Sequence, residues 1–424
     1  MMAGGAMSAT ASAGAAPGIG KREYGKETWM SMEKELLETA RNMKDWLVQT
    51  RRTLHMIPEA GDAEFETQAA ICGLLDDIGV PYEKKRTSVV ALIEGRKPGK
   101  VVGVRADMDA LPVSEPEDRP YASRHKGYMH ACGHDAHMTI ALGAAKYLVT
   151  NRKNLGGSVK FLFQPAEETT GGAANMIADG CLENPHVDYI IGLHVMPDVP
   201  LGKFELKHGA LNGSSDYLVV TVRGKGAHAA YPDAGIDAIM IAAQVVDALH
   251  TVVSRNVSPL QEAVLTLGTI QGGTRNNIIA DEVKMTGTIR TTNPRVRAEI
   301  AERVRAIVAH VPEALGGTGE VEIRPGYAPL INHDWVVDLI AEEAKAMMGP
   351  DSIIWREKAS MGVEDFSFFV QERPGSFYHL GCGNPSKGIG APLHSNAFDI
   401  DEDCLPIGVA MQVSIAQKLL GVRP

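Results

Sequence analysis

The chain has 424 residues, 44% apolar and 22% charged, with a formal charge of −10. That length exceeds one ordinary hydrophobic core, so two domains are the starting expectation. An acidic chain without a basic run is a poor partner for nucleic acid, whose phosphates are neutralised by Lys and Arg, and no run of eighteen consecutive apolar residues is present to cross a bilayer.

Residues 1–20 are rich in Ala, Gly and Ser, without the basic start and apolar core of a secretory leader. Residues 1–30 therefore read as a flexible extension. From Ser31, the spacing of Leu36, Ala40, Met43 and Leu47 predicts one amphipathic helix to about Met56, stopped by Pro58. A helix over 67–78 closes at Gly79, and strands follow at 88–93 and 101–104, the second running into Asp107 and Asp109. A helix at 139–148, a strand at 159–163, a helix at 173–178 and a strand at 189–193 continue an alternation that indicates a mainly parallel α/β sheet. After Gly213 the order becomes strand, helix, strand, strand, helix, strand, which describes a split α+β unit inserted at 213–325. The first domain, 31–212, resumes at 326–424 with helices at 334–348 and 405–420.

Cys132, His134 and His137 fall within ten residues, and Glu168, His194 and His394 each follow an apolar, strand-like run. Thiolate, imidazole and carboxylate are the side chains that hold transition metals, and open parallel sheets bind ligands beyond the carboxyl ends of their strands. Cys132, His134, Glu168, His194 and His394 make five candidate ligands, one more than a tetrahedral zinc requires and enough for two bridged ions. Their long separations disfavour a structural zinc, which uses paired, short-spaced Cys and His. Glu167, beside Glu168, is free to act as general base and acid. Asp107 and Asp109 are placed to orient a ligand imidazole, and Asp109 is counted with the catalytic residues. Cysteines at 72, 132, 181, 382 and 404 are odd in number and scattered, which suits a reducing compartment and makes the cytoplasm the expected location.

Several segments closely resemble the M20 metallopeptidase family: Arg105-Ala-Asp-Met-Asp-Ala-Leu-Pro, Met129-His-Ala-Cys-Gly-His-Asp-Ala-His, Phe163-Gln-Pro-Ala-Glu-Glu, Gly192-Leu-His-Val, Gly224-Lys-Gly-Ala-His-Ala-Ala-Tyr-Pro, Met361-Gly-Val-Glu-Asp-Phe-Ser and Leu393-His-Ser-Asn. They are most similar to its amidohydrolase branch, which acts on N-acyl amino acids. Where many M20 peptidases have His-x-Asp, this chain has Asp107-Met-Asp109, the habit of that branch.

The resemblance implies a dinuclear centre on the five candidate ligands, with Glu167 as base and acid. The metals are manganese or zinc, with cobalt or nickel as further options. It also implies that 213–325 is a lid and dimerisation module, from which His228 reaches an active site, commonly the partner subunit's, to stabilise the oxyanion. Asn277 and Arg290 then hold a substrate carboxylate. The function expected is hydrolysis of N-acyl amino acids by a homodimer, with no nucleic-acid or membrane partner. An M20-type dipeptidase or carboxypeptidase is the alternative within the class, and a non-catalytic ligand-binding protein on the same fold the alternative outside it.

Overall fold

The apolar runs at 88–94, 101–107, 158–164 and 189–200 are rich in Val, Ile and Phe, and they pair into the larger of two main sheets in this computed structural model, which describes residues 26–421. The expected flexible extension lies largely outside those residues, although the helix Lys26–Arg41 begins within it. The sheet has eight strands in the order Tyr82–Lys85, Ser88–Glu94, Ser158–Gln164, Val101–Asp107, Tyr189–Pro200, Gly375–Gly383, Phe204–Leu206 and Ile353–Trp355. The four central strands are parallel, and antiparallel pairs flank them. Gly375–Gly383 is buried at every position and carries no sequence alternation, as a strand covered on both faces should.

Helices cover both faces of this sheet. One layer holds Lys26–Arg41, Lys44–His55, His134–Thr150, Asp334–Met348 and Cys404–Leu419, and the other holds Gly172–Ala178 and Phe366–Glu372. The single helix expected from Ser31 to about Met56 is two: Met43 leaves the helical region at φ −92°, ψ 4°, and its N–H reverts to the Ala40 carbonyl. The break lets Leu36 and Ala40 on one segment and Leu47 and Leu54 on the next all reach the core. Cys404–Leu419 is buried almost all round and crosses His134–Thr150 at two glycines. A Cβ on Gly408 would meet Ile140 Cδ1 at 2.6 Å and one on Gly143 would meet Val409 Cγ2 at 2.6 Å. This close crossing, with leucine, valine and isoleucine side chains each contributing roughly 1.5–3 kcal/mol of burial, fixes the helix whose first residue is His134.

The second main sheet has strands Ala263–Gly272, Glu282–Thr291, Asp216–Arg223 and Thr318–Pro325, all antiparallel. Helices Ala238–Asn256 and Pro294–Ala314 pack on it and share a separate core built on Val220, Val245, Leu249, Met285, Ile300 and Val304. Asp237 caps the first helix by accepting from the Ile239 and Met240 N–H groups, and Asn293 caps the second. Ala238–Asn256 is apolar and long enough to span a bilayer by length and composition alone, and it buries Ile241, Val245, Leu249 and Val252 against the sheet.

Candidate active site and metal centre

Gly133 turns the chain into helix His134–Thr150 with φ 83°, where a Cβ would strike Val195 Cγ2 at 2.4 Å. That turn puts Cys132 and His134 into one pocket with His194. Cys132 Sγ lies 3.3 Å from His194 Nε2. His194 Nδ1 donates to the Val195 carbonyl at 2.8 Å and His134 Nδ1 to the Asp109 carbonyl at 2.9 Å. Both Nε2 lone pairs are thereby aimed at the pocket. Ligand atoms of Cys132, His134 and His194 all lie within 4.8 Å of one another, as do those of Cys132, Glu168 and His394. The two groups share Cys132, which is the arrangement a bridged pair of ions requires. Buried His134 Nε2 has no hydrogen-bond partner, and an orphan of this kind is costly unless a cation satisfies it; Glu168 Oε1 has only His394 Nε2 beside it, 3.2 Å away.

The electrostatics agree. Burial opposes a charged His134, but Asp107, Asp109 and Glu168 outweigh it and push the imidazole up to about 10. Burial, then Glu168 and Glu167, hold the Cys132 thiol well above its usual range, so a thiolate there needs positive charge beside it. The donor set and its surroundings therefore fit a pair of divalent cations.

His137, the third histidine of the cluster, has no lone pair left for metal. Its Nδ1 donates to Asp107 Oδ1 at 2.6 Å and its Nε2 accepts from the Val195 N–H at 2.9 Å. It thus ties the helix to the strand that carries His194. Asp109 Oδ2 accepts the Glu168 N–H at 2.9 Å, so Asp109 positions His134 through its carbonyl and Glu168 through its carboxylate. His194 does not end its strand, which continues to Pro200; it lies just past the last residue paired with Val101–Asp107.

Two non-glycine residues in the left-handed region mark the rim, Ala166 at φ 58° and His394 at φ 63°. Ala166 N–H donates to buried Glu64 Oε1 at 2.8 Å, and His394 N–H to the Ala131 carbonyl at 2.8 Å. These bonds turn Glu167, Glu168 and His394 toward the centre. Glu167 stands beside Glu364 and Asp365, with carboxylate oxygens of the three within 4.8 Å. Burial and then those two neighbours hold its carboxyl well above the usual range. The buried Arg105 guanidinium keeps the acids together, reaching Asp107 at 2.5 Å and Glu364 and Asp365 at 2.9 Å. Sequence reasoning assigned no role to Arg105, Glu364 or Asp365. The signals for this charged triad were an arginine directly after an apolar strand and its place, with Glu364 and Asp365, in the segments that resemble the M20 family.

The centre opens into a cleft of about 610 Å³ lined by Glu167, His194 and His394 and, on its other side, by Ser215 and Tyr327 at the root of the second sheet. Tyr327 OH donates to the Glu167 carbonyl at 2.6 Å. His228 is not among the lining residues. It is exposed on the short strand Ala227–His228, paired with Ile278, and the Ala229 N–H donates to the Asn277 carbonyl at 3.1 Å. Asn277 and Arg290 lie apart within one chain. Asn277 precedes the start of strand Glu282–Thr291 while Arg290 sits near its end, roughly 25 Å along the strand. Arg290 Nη1 instead donates at 2.9 Å to the carbonyl of Met361, between the cleft residues Ser360 and Gly362.

Residues 103–418 match the family described as Peptidase family M20/M25/M40. The chain is 41% identical over 377 residues to the N-acetyl-L-cysteine deacetylase of Bacillus subtilis, covering 88% of each chain. It is 37% identical over 400 residues to thermostable carboxypeptidase 1 of Saccharolobus solfataricus, covering 93% of this chain and 99% of the relative. Among solved structures it is similar to a Bacillus subtilis protein described as a dinuclear metal binding peptidase from the M20 family, with TM-score 0.79, 30% identity, and coverage of 90% and 100%.

Proposed function

The chain belongs to peptidase family M20/M25/M40 and is a hydrolase, and from that premise we propose that it cleaves the amide bond of N-acyl amino acids, releasing a carboxylic acid and the free amino acid. The observation that carries this reading is the convergence of Cys132, His134, Glu168, His194 and His394 with one further carboxylate, Glu167, beside them. Two divalent cations held by those five side chains, when bound, supply the Lewis acidity that polarises the scissile carbonyl and acidifies water. Thiolate and imidazole donors suit zinc on softness, with manganese the second candidate.

Glu167 takes a proton from the attacking water and returns it to the leaving nitrogen. Burial raises its affinity for a proton, which favours taking one from water. Glu364 and Asp365 add to the effect of burial on that affinity, and Tyr327 steadies the Glu167 backbone. Arg290, hydrogen-bonded to the Met361 carbonyl between the cleft residues Ser360 and Gly362, is the residue proposed to bind the substrate carboxylate, although it does not itself line the cleft.

His228 and Asn277 face solvent together, so their part in the reaction is to complete the cleft of a partner subunit, where His228 stabilises the oxyanion. The reading of 213–325 as lid and dimerisation module is supported by the edge strand Ala263–Gly272, which leaves one side unpaired, and by exposed Ile270, Ile239 and Met240. Five free, buried cysteines accord with a cytoplasmic setting.

A hydrolysis panel on enzyme reconstituted separately with zinc and manganese tests the reading. It contains N-acetyl and N-benzoyl amino acids beside free dipeptides. Preferential cleavage of the N-acyl compounds is expected. Preference for substrates with a free amino terminus would overturn it in favour of a dipeptidase.

A further inference from the structure

A row of polar side chains crosses the large sheet outward from the metal centre. His379 lies directly across from His194 on the neighbouring parallel strand and across from Glu205 on its other, antiparallel neighbour. Residues paired in this way project from the same face of a sheet, and the rings of His194 and His379 are 6.4 Å apart. Glu205 Oε1 lies 2.7 Å from His379 Nδ1 and accepts from Arg356 Nη1 at 2.7 Å. Arg356 follows the outermost strand, where its N–H donates to the Leu206 carbonyl at 2.9 Å and its Nε to the Lys358 carbonyl at 3.0 Å. His194, His379 and Glu205 thus stand on three successive strands, about 5 Å from one strand to the next, and Arg356 lies just past the end of the fourth.

His379 and Arg356 both line the cleft, and Arg356 is the one arginine or lysine among its lining residues. His379 is nearly buried, yet neither the metal centre nor the Glu167 proton transfer uses it. With Nδ1 held by Glu205, its Nε2 has no hydrogen-bond partner among the described residues, and neither has Arg356 Nη2. Glu205 fixes both side chains before any substrate arrives, so little rotamer freedom is lost on binding. A hydrocarbon group seated against this wall would leave two polar groups dry and unpaired, and that penalty makes polar sites discriminate strongly.

We infer that Arg356 and His379, locked through Glu205, form the specificity wall of the cleft and select substrates that carry a second oxygen-bearing group, a carboxylate or carboxamide, beyond the scissile amide. The inference rests on the amidohydrolase reading and names the substrate class of the same site.

The test compares wild type, Arg356→Met and His379→Phe on matched pairs: N-acetylglutamate and N-acetylglutamine against N-acetylleucine, and N-succinyl against N-butyryl amino acids. The acid and amide arms separate carboxylate from carboxamide recognition, and the acyl pairs locate the group on the acyl or amino-acid side. Wild type is expected to favour the oxygen-bearing member of at least one pair, and both variants to reduce that kcat/KM ratio about tenfold or more, with metal content unchanged. An unchanged ratio in Arg356→Met, which touches no metal ligand, would overturn the inference even if His379→Phe lost metal. Should wild type cleave none of these compounds, the functional reading fails. Calorimetric binding of N-acetylglutamate, N-acetylglutamine and N-acetylleucine to the same proteins then decides the wall separately, and equal affinities in wild type would refute it.

Discussion

Cys132, His134 and His194 are each less than a tenth exposed, and each imidazole has its second nitrogen tied to a backbone carbonyl. His228 and Asn277 stand in the open, held by a two-residue strand pair and local backbone bonds around them. The first region is determined within a single chain by helix, sheet and a buried ion cluster. The second lines no part of the cleft in its own chain. Rigidity is concentrated where charge must be held in place.

The sharpest probe of the rigid region is Glu167→Gln, which keeps the shape and removes the proton acceptor. It should retain both metals by elemental analysis and lose kcat by about 10²–10⁴-fold; near-normal turnover would remove Glu167 from the chemistry. Next is Arg105→Met, which leaves Asp107, Glu364 and Asp365 buried without their counter-charge. A loss of roughly 3–5 kcal/mol in denaturant unfolding is expected, and a loss below about 1 kcal/mol would mean that those acids are neutral in the fold.

The exposed region should respond differently. His228→Ala is expected to keep wild-type stability and metal content while losing about 10²-fold in activity. Mixing it with Glu167→Gln under subunit exchange should restore about a quarter of wild-type activity, since half the dimers then hold one intact site. No recovery on mixing would place His228 in its own chain's site. The smallest effect is expected at Glu64, whose carboxyl burial pushes up to about 7. A raised acid stabilises the fold below its unfolded value near 4.5 and loses that contribution as pH rises through 7. Glu64→Gln, which imitates the protonated form, should match wild type near pH 4.5 and exceed it at pH 8 by roughly 1–3 kcal/mol. Parallel thermal-melt curves across that range would argue against a buried charge holding Ala166.

Donor identity was legible in the chain because metal chemistry restricts it to a few residue types, with Cys132 and His134 clustered and Glu168, His194 and His394 each following a strand-like run. The element order of the second sheet was legible too, since the two periodicities of strand and helix alternate cleanly from Tyr217 to Ile323. What the residues alone did not reveal was which of several similar side chains had a free lone pair. His134 and His137 differ by one helical turn, yet Asp107 and the Val195 N–H consume both nitrogens of one, while the other keeps Nε2 open. The strand Gly375–Gly383, buried on both faces, has no alternation to read, so His379 and its place beside His194 emerged only from sheet order. Likewise the separation of Asn277 from Arg290 is a property of strand direction. Local patterns specify what each segment is and what chemistry it carries; which atoms meet is decided by pairing across hundreds of residues, and only the folded chain sets that.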